Sequence, residues 1–270
     1  MNVLPLYIGY DEREHEAYEV CRASAERRSS IPLHVVRLDQ ASLRRSGWYT
    51  REWRYEGVEG QRVDLQDGKP FSTDFTFTRF LVPALAMHQG WALYCDCDFL
   101  FTADLGPLLA LADPKYAAMC VKHEHVPRET LKMNGLQQTA YRRKNWSSLI
   151  LWNCAHRSNA ALARIVNYMT GQWLHAFQWL KDDEIGELPL KWNWLSGVSA
   201  PLPVGIIPGE IRAPGGEEMP ELPCGIHFTL GLPSIHGCEA APYASLWLRE
   251  RASYRHAGLP TPTERLRAMD

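Results

Sequence analysis

The chain lacks any C-x-x-C pair, and its 7 cysteines are odd in number and irregular in spacing. That excludes a disulfide framework and the common zinc-finger arrangements, and it reads as small buried residues in a reducing compartment. No apolar stretch reaches the length of a membrane span. The N-terminus shows no charged segment leading into a signal-length apolar run. The expectation is a cytoplasmic protein with no transmembrane segment. Neither sign of charge dominates: 29 Lys and Arg face 31 Asp and Glu, a net charge of −2, so there is no bulk electrostatic case for nucleic-acid binding. Internal repeats and low-complexity tracts are missing too.

What is present is an ordinary globular composition of 270 residues, 46% hydrophobic and 22% charged. The 10 Trp and 11 Tyr are many. Some should fill the core, and others could be stacking platforms for sugars or bases.

The stretch that organises the rest is Trp91-Ala92-Leu93-Tyr94-Cys95-Asp96-Cys97-Asp98-Phe99-Leu100-Phe101. Trp91 to Cys95 reads as a short buried strand bounded by Gly90. Asp96 and Asp98 follow with one residue between them, and in extended chain residues i and i+2 point the same way. Two carboxylates facing one point repel unless a cation or proton lies between them. A hard divalent ion, Mg²⁺ or Mn²⁺, suits such oxygen ligands, and in open α/β sheets ligands bind beyond the carboxyl ends of strands. A plain surface turn is the alternative.

Around it the chain alternates. Val3 to Tyr10 reads as a first strand, with Asp11 as a helix N-cap and Glu14 placed for a capping box. Ala17, Val20, Cys21 and Ser24 mark one helix face, and Leu33 to Leu38 reads as a second strand. Strand–helix–strand argues for a parallel sheet. Arg44 to Pro70 reads as an irregular excursion. A helix is expected from Thr73 or Asp74 to near Gly90, kinked at Pro83. It carries Arg79, which reads as a surface charge, a phosphate contact or a partner of one aspartate. Asp104 to Leu111 reads as a short helix and Tyr116 to Val121 as a strand. Lys122 to Trp146 is a long loop whose basic residues would suit phosphates or merely solvate the surface. Ser147 to Trp152 reads as a strand, Asn159 to Met169 as a helix capped by Ser158, and Pro201 to Pro223 as mostly loop. Gly225 to Thr229 comes next, and Tyr243 to Tyr254 can form a last helix.

Taken together these residues resemble the nucleotide-sugar glycosyltransferases of the GT-A fold, of the family 8-like kind. Leu6-Tyr7-Ile8-Gly9-Tyr10-Asp11 resembles the first strand and uracil-binding turn. Thr78-Arg79-Phe80 resembles the Arg-bearing helix, and Asp96-Cys97-Asp98 the DXD motif. Asn145-Trp146-Ser147-Ser148 and the following Leu149 to Asn153 resemble the acceptor-side strand, with Ser147-Ser148 replacing an Ala-Gly pair. Asp182-Asp183-Glu184 stands where the family commonly carries Asp-Gln-Asp, and Ile226-His227-Phe228 resembles its C-terminal metal histidine.

The resemblance implies an α/β GT-A (Rossmann-like) fold, with a mixed, mainly parallel sheet flanked by helices. It implies one domain over 1–270, with a nucleotide- and metal-binding half at 1–121 and an acceptor-side half at 122–270. It implies a metal-dependent hexosyltransferase-like enzyme moving a sugar from a UDP-linked donor to a glycan or other acceptor, with retention. The implied metal ligands for Mn²⁺ or Mg²⁺ are Asp96, Asp98 and His227. Ile8, Tyr10, Asp11, Arg79, Lys132, Arg143 and Lys144 are the implied donor contacts, and Asp182, Asp183 and Arg79 the implied catalytic residues. For Asp11, a plain N-cap stays open beside a base contact. Ile226 and Phe228 flank His227 as apolar strand neighbours, leaving the imidazole on the opposite face.

Two other readings compete. A phosphatase or phosphotransferase of the haloacid dehalogenase type also places Asp-x-Asp after a buried strand and ends with an acidic pair. Here the motif is mid-chain, and Leu100 replaces the expected Thr or Val. A non-catalytic nucleotide-sugar binder would share most of the residues.

Overall fold

A computed structural model describes residues 3–57, 60–124, 143, 145–202 and 222–256. Strand β1 (Leu4–Tyr10) leads into a 3₁₀ turn at Glu12–Glu14 and helix α1 (His15–Arg28). Ala17, Val20, Cys21, Ser24 and Ala25 form the helix's buried stripe, at spacings of three and four. Strand β2 (Leu33–Asp39) lies parallel to β1, and Asp39 caps α2 (Gln40–Arg45) by accepting from the Ala41 and Ser42 amides.

The excursion expected to be irregular is instead a small antiparallel sheet of β3 (Trp53–Glu56), β4 (Gln61–Asp64) and β5 (Pro70–Phe71). Its polarity hid it, because its anchor is a buried ion pair. Arg51 Nη2 lies 2.5 Å from Asp64 Oδ2, with both side chains essentially inaccessible. Arg51 also donates to the Val166 and Met169 carbonyls and covers the Phe77 ring at 4.0 Å. A buried charge is tolerated when it is paired and hydrogen-bonded.

The expected helix up to Gly90 is broken into α3 (Phe75–Thr78), a 3₁₀ turn at Arg79–Leu81 and α4 (Val82–Leu85). Pro83 lies within the first residues of α4, where a missing N–H costs nothing, so it begins a helix rather than kinking one. Met87 and His88 at positive φ end it. Then follow β6 (Trp91–Cys95), β7 (Phe99–Phe101), α5 (Gly106–Leu109) and β8 (Ala118–Cys120). After a 3₁₀ turn at Trp146–Ser148 come β9 (Leu149–Asn153), α6 (Leu162–Ile165), α7 (Gly171–His175) and β10 (Ile185–Glu187). The expected helix over 159–169 is only α6, preceded by a separate 3₁₀ turn that His156 caps, not Ser158. Strands β11 (Trp194–Leu195) and β12 (Gly225–His227) precede the long helix α8 (Ala244–His256).

The central sheet runs β10-β8-β9-β6-β1-β2, with β9 the antiparallel member and the others parallel. A second sheet, β11-β12-β7, begins where the first leaves off, because β7 follows β6 after a short turn. Core clusters fill both faces of the central sheet, as a mainly parallel sheet requires. The mixed, mainly parallel sheet flanked by helices is therefore as expected. Among the described residues no helix is long and apolar enough to cross a membrane.

The topology gathers one edge. The carboxyl ends of β1, β6 and β8 bring Asp11, Asp96 and Lys122 to the same side of the sheet. The antiparallel β9 brings the residues just before it, Ser147 and Ser148, there as well.

Candidate functional site

Asp96 and Asp98 converge, but not along an extended strand. Cys97 and Asp98 form a turn between β6 and β7. The Asp96 amide donates to the Ser148 carbonyl at 2.9 Å, which fixes the start of that turn against the 3₁₀ turn that precedes β9. Pairing in the second sheet supplies the third residue. His227 stands opposite Phe99, the residue after Asp98, and the Phe228 amide donates to the Asp98 carbonyl at 3.0 Å. The Phe99 and His227 rings stack at 4.6 Å.

As a result, one ligand atom each from Asp96, Asp98 and His227 lies within 4.8 Å of the others. His227 Nε2 is 3.2 Å from Asp98 Oδ2. The other oxygen, Asp98 Oδ1, is buried with no hydrogen-bond partner among the described residues. An unpartnered buried carboxylate oxygen is costly unless a cation completes it. Two carboxylates and an imidazole form a donor set that fits a divalent ion such as Mn²⁺.

The charges are arranged around this point. Arg79 is buried, pairs with Asp96 Oδ1 at 2.9 Å and donates to the Phe75 and Ser147 carbonyls. Of the readings open for Arg79 in the sequence, the structure shows the partner of an aspartate. Tyr94 donates to the same Asp96 oxygen at 2.6 Å. Burial pushes the Asp96 carboxyl above the usual range, with Arg79 opposing. Burial would raise Asp98 too, but His227 beside it holds it below the usual range. Burial would lower His227, yet Asp98 raises it above an ordinary histidine.

Glu14 does not form the expected capping box. It turns inward and accepts from Cys97 Sγ at 3.0 Å, and burial followed by the charge of Asp98 pushes it up to about 7. Asp11 does cap the 3₁₀ turn, accepting from the Arg13 amide. It is also the hub of a larger network. Arg13 Nη2 reaches it at 2.5 Å, Arg62 at 3.2 Å and the Asp74 amide at 3.1 Å. Burial would raise its pKa, but Arg13 first and then the Asp74 amide hold it at about 2.

Tyr10 is half-buried under Arg37, its hydroxyl 3.2 Å from His15 Nδ1. The Ile8 side chain is fully buried in the core, so it offers no surface to a ligand; the alternation of β1 turns it inward.

A cavity of about 350 Å³ is lined by Lys122, Arg143, Trp146, Asp182 and Ile185. Lys122 and Arg143 both approach the Trp146 indole, and Arg143 pairs with Asp182 and donates to the Ala176 carbonyl. Asp182 and Asp183 are exposed on a 3₁₀ turn, while Glu184 turns back to Ser158 and the Lys181 amide. The structure therefore joins Arg143 to Asp182 but leaves both outside the three-residue cluster. Lys132 and Lys144 lie outside the described residues.

No protein-family model matches the chain. It is 43% identical over 251 residues to Protein CDI of Arabidopsis thaliana, covering 92% of this chain and 86% of that protein. The chain belongs to the family of Protein CDI. Among solved structures it resembles the galactosyltransferase LgtC in complex with donor and acceptor sugar analogs, with TM-score 0.56 and 12% identity, over 97% of this chain and 99% of that one. It also resembles the glycosyltransferase GlyE of Streptococcus pneumoniae TIGR4, with TM-score 0.53 and 15% identity, over 93% of this chain. The bifunctional glycosyltransferase WbbM gives TM-score 0.54 at 13% identity over 93% of this chain. The chain spans 60% of GlyE and 50% of WbbM. The fold is the GT-A fold of these glycosyltransferases.

Sequence reasoning missed Tyr94 and Asn193 as partners of the metal-competent residues. Tyr94 reads as one more core aromatic of β6, and Asn193 lies between two tryptophans with no motif to single it out. Each acquires its role only through contacts made in the folded chain.

Proposed function

We propose that this chain is a metal-dependent glycosyltransferase that moves a sugar from a nucleotide-sugar donor, UDP-linked, to an acceptor with retention of anomeric configuration. The observation that carries this reading is the convergence of Asp96, Asp98 and His227, with its unpartnered carboxylate oxygen, at the carboxyl edge of a GT-A sheet. That LgtC was solved with donor and acceptor sugar analogs supports it.

Asp96, Asp98 and His227 would hold the divalent ion, Mn²⁺ or Mg²⁺. When bound, it supplies Lewis-acid stabilisation of a diphosphate leaving group. The protein's own part is arrangement. Arg79 and Tyr94 orient Asp96 and favour its charged form. Tyr10 and Asp11, at the end of β1, would contact the nucleotide base. Lys122 and Arg143, which line the cavity, would offer positive charge to phosphate oxygens. Asp182, which lines that cavity, and the exposed Asp183 next to it would accept hydrogen bonds from sugar hydroxyls. No side chain is assigned as a nucleophile.

A haloacid dehalogenase-type reading loses ground, because here Asp-x-Asp turns directly into a second sheet that carries a histidine back to it. Calorimetry with UDP and UDP-sugars in Mn²⁺, on wild type and Asp98→Asn, tests the proposal together with release of free UDP. Metal-dependent binding and turnover, both lost in the variant, are expected. Binding without turnover under any acceptor would make the chain a nucleotide-sugar binder. Absence of metal-dependent binding would overturn the reading.

A further inference from the structure

His227 Nδ1 lies 3.2 Å from Asn193 Oδ1, and both residues are buried. The Asn193 amide nitrogen donates to Ser148 Oγ at 2.9 Å and approaches the Asn145 carbonyl at 3.4 Å. Ser148 donates in turn to that same Asn145 carbonyl at 2.8 Å. This chain of bonds assigns each proton. A serine hydroxyl has one hydrogen, and Ser148 gives it to a carbonyl that can only accept. Ser148 Oγ must therefore accept from Asn193, so Asn193 turns its NH₂ to Ser148 and its oxygen to His227. An amide oxygen accepts only, so His227 Nδ1 carries a hydrogen whether the ring is charged or neutral. In the neutral ring the lone pair is then on Nε2, which faces Asp98 Oδ2 at 3.2 Å.

We propose that Ser148 and Asn193 are positioning residues that hold His227 in its Nδ1–H form, so that Nε2 presents its lone pair to a divalent cation. The proposal rests on the metal-centre reading above. The neutral histidine side chain free in water favours the opposite tautomer, with hydrogen on Nε2, which would block the ligating atom. Which ring nitrogen can bind is set by the hydrogen bond that the other one makes. The Phe99 ring, stacked on the imidazole, limits its tilt, so the Asn193 contact sets its rotation. Ser148 departs from the small Ala-Gly pair of the resembled family, and its hydroxyl here gains a specific task.

The test uses the full chain, ¹⁵N-labelled at histidine and stripped of cations with EDTA. Long-range ¹H–¹⁵N spectra, recorded at a pH above the His227 titration, report which nitrogen carries the hydrogen. Wild type should show Nδ1–H, and Asn193→Leu should shift toward Nε2–H. Mn²⁺ titration followed by electron paramagnetic resonance, without nucleotide, should show Asn193→Leu weakened about tenfold or more. Asn193→Asp, whose carboxylate still accepts from Nδ1, should recover most of that affinity. Melting curves check folding; should Asn193→Leu fail to fold, Ser148→Ala, which frees the Asn193 amide to rotate, carries the same two measurements. An Nε2–H signal in wild type, or an unchanged tautomer and Mn²⁺ affinity in the Leu or Ala variant, overturns the proposal. Asp98→Asn and His227→Ala separate the underlying reading: unchanged Mn²⁺ binding in both would remove the metal centre, while the spectra still decide what Asn193 does.

Discussion

Arg79 Nη1 lies 2.9 Å from Asp96 Oδ1, and the same nitrogen donates to the Ser147 carbonyl at 2.8 Å. One guanidinium thus ties the helical segment before β6 to the carboxylate at its end and to the turn before β9. The pair is largely shielded from water, with side chains 6% and 14% exposed.

Breaking it should be expensive. Arg79→Ala removes the charged partner of Asp96 and a side-chain donor to each of two carbonyls. A loss of about 3 kcal/mol or more in unfolding free energy is expected. Urea denaturation measures it, and an unchanged midpoint would show that Arg79 is not structural. Adding Mn²⁺ should restore part of the loss, because a cation would replace the missing positive charge next to Asp96.

The pH dependence follows from opposite shifts. His227 has a raised pKa despite burial, because Asp98 faces it. Its contribution to the cation-free protein is full below the ordinary histidine value of ~6.5 and is lost as pH rises through the folded value. Asp98 is lowered by His227 against the effect of burial. Its contribution is full above the ordinary aspartate range and is lost as pH falls through the folded value. Melting temperature in EDTA should therefore fall on both sides. A ligating imidazole must be neutral, so Mn²⁺ affinity should rise over the alkaline limb where the cation-free protein weakens. His227→Ala should flatten that limb; a limb that persists would place the titration elsewhere.

Asp11→Asn separates two roles. The native carboxylate accepts from Arg13, Arg62 and the Asp74 amide. Neutralising it removes the carboxylate that Arg13 and Arg62 share, with Asp74 left as the partner of Arg62, and a loss of about 2–4 kcal/mol is expected. Unchanged UDP affinity in a variant that melts earlier would make Asp11 a structural hub only; weakened UDP binding beyond the effect on folding would support the base contact.

Gly225→Ala probes how β12 delivers His227. A Cβ there would sit 2.3 Å from the Trp192 carbonyl oxygen, a backbone atom that cannot swing aside. Overpacking of this kind costs roughly 1–3 kcal/mol. The strand must shift, and Trp192 precedes Asn193, so both His227 and its partner move. Mn²⁺ affinity should fall along with the melting temperature. A drop in stability with intact Mn²⁺ binding would mean that the second sheet does not govern the site.

β1, α1, β2 and β6, the position of Asp96 and Asp98 after β6, and the strand carrying His227 are legible in the order of residues alone. These depend on local periodicity: apolar runs of strand length, a helix stripe at spacings of three and four, and carboxylates at the end of an apolar segment. The rest comes from packing between segments far apart in the chain. The β3–β5 sheet is held by a charge pair, Arg51–Asp64, that looks like solvated surface until both residues are seen buried. Glu14 had the spacing of a capping residue but follows the packing of Cys97 instead. Arg79 reaches Ser147 across 68 residues, and Asn193 reaches Ser148 across 45. No local pattern encodes such pairs, because each is chosen by where the sheet order brings two distant turns together. Burial then makes the bond matter, by leaving each polar group with a protein partner or none.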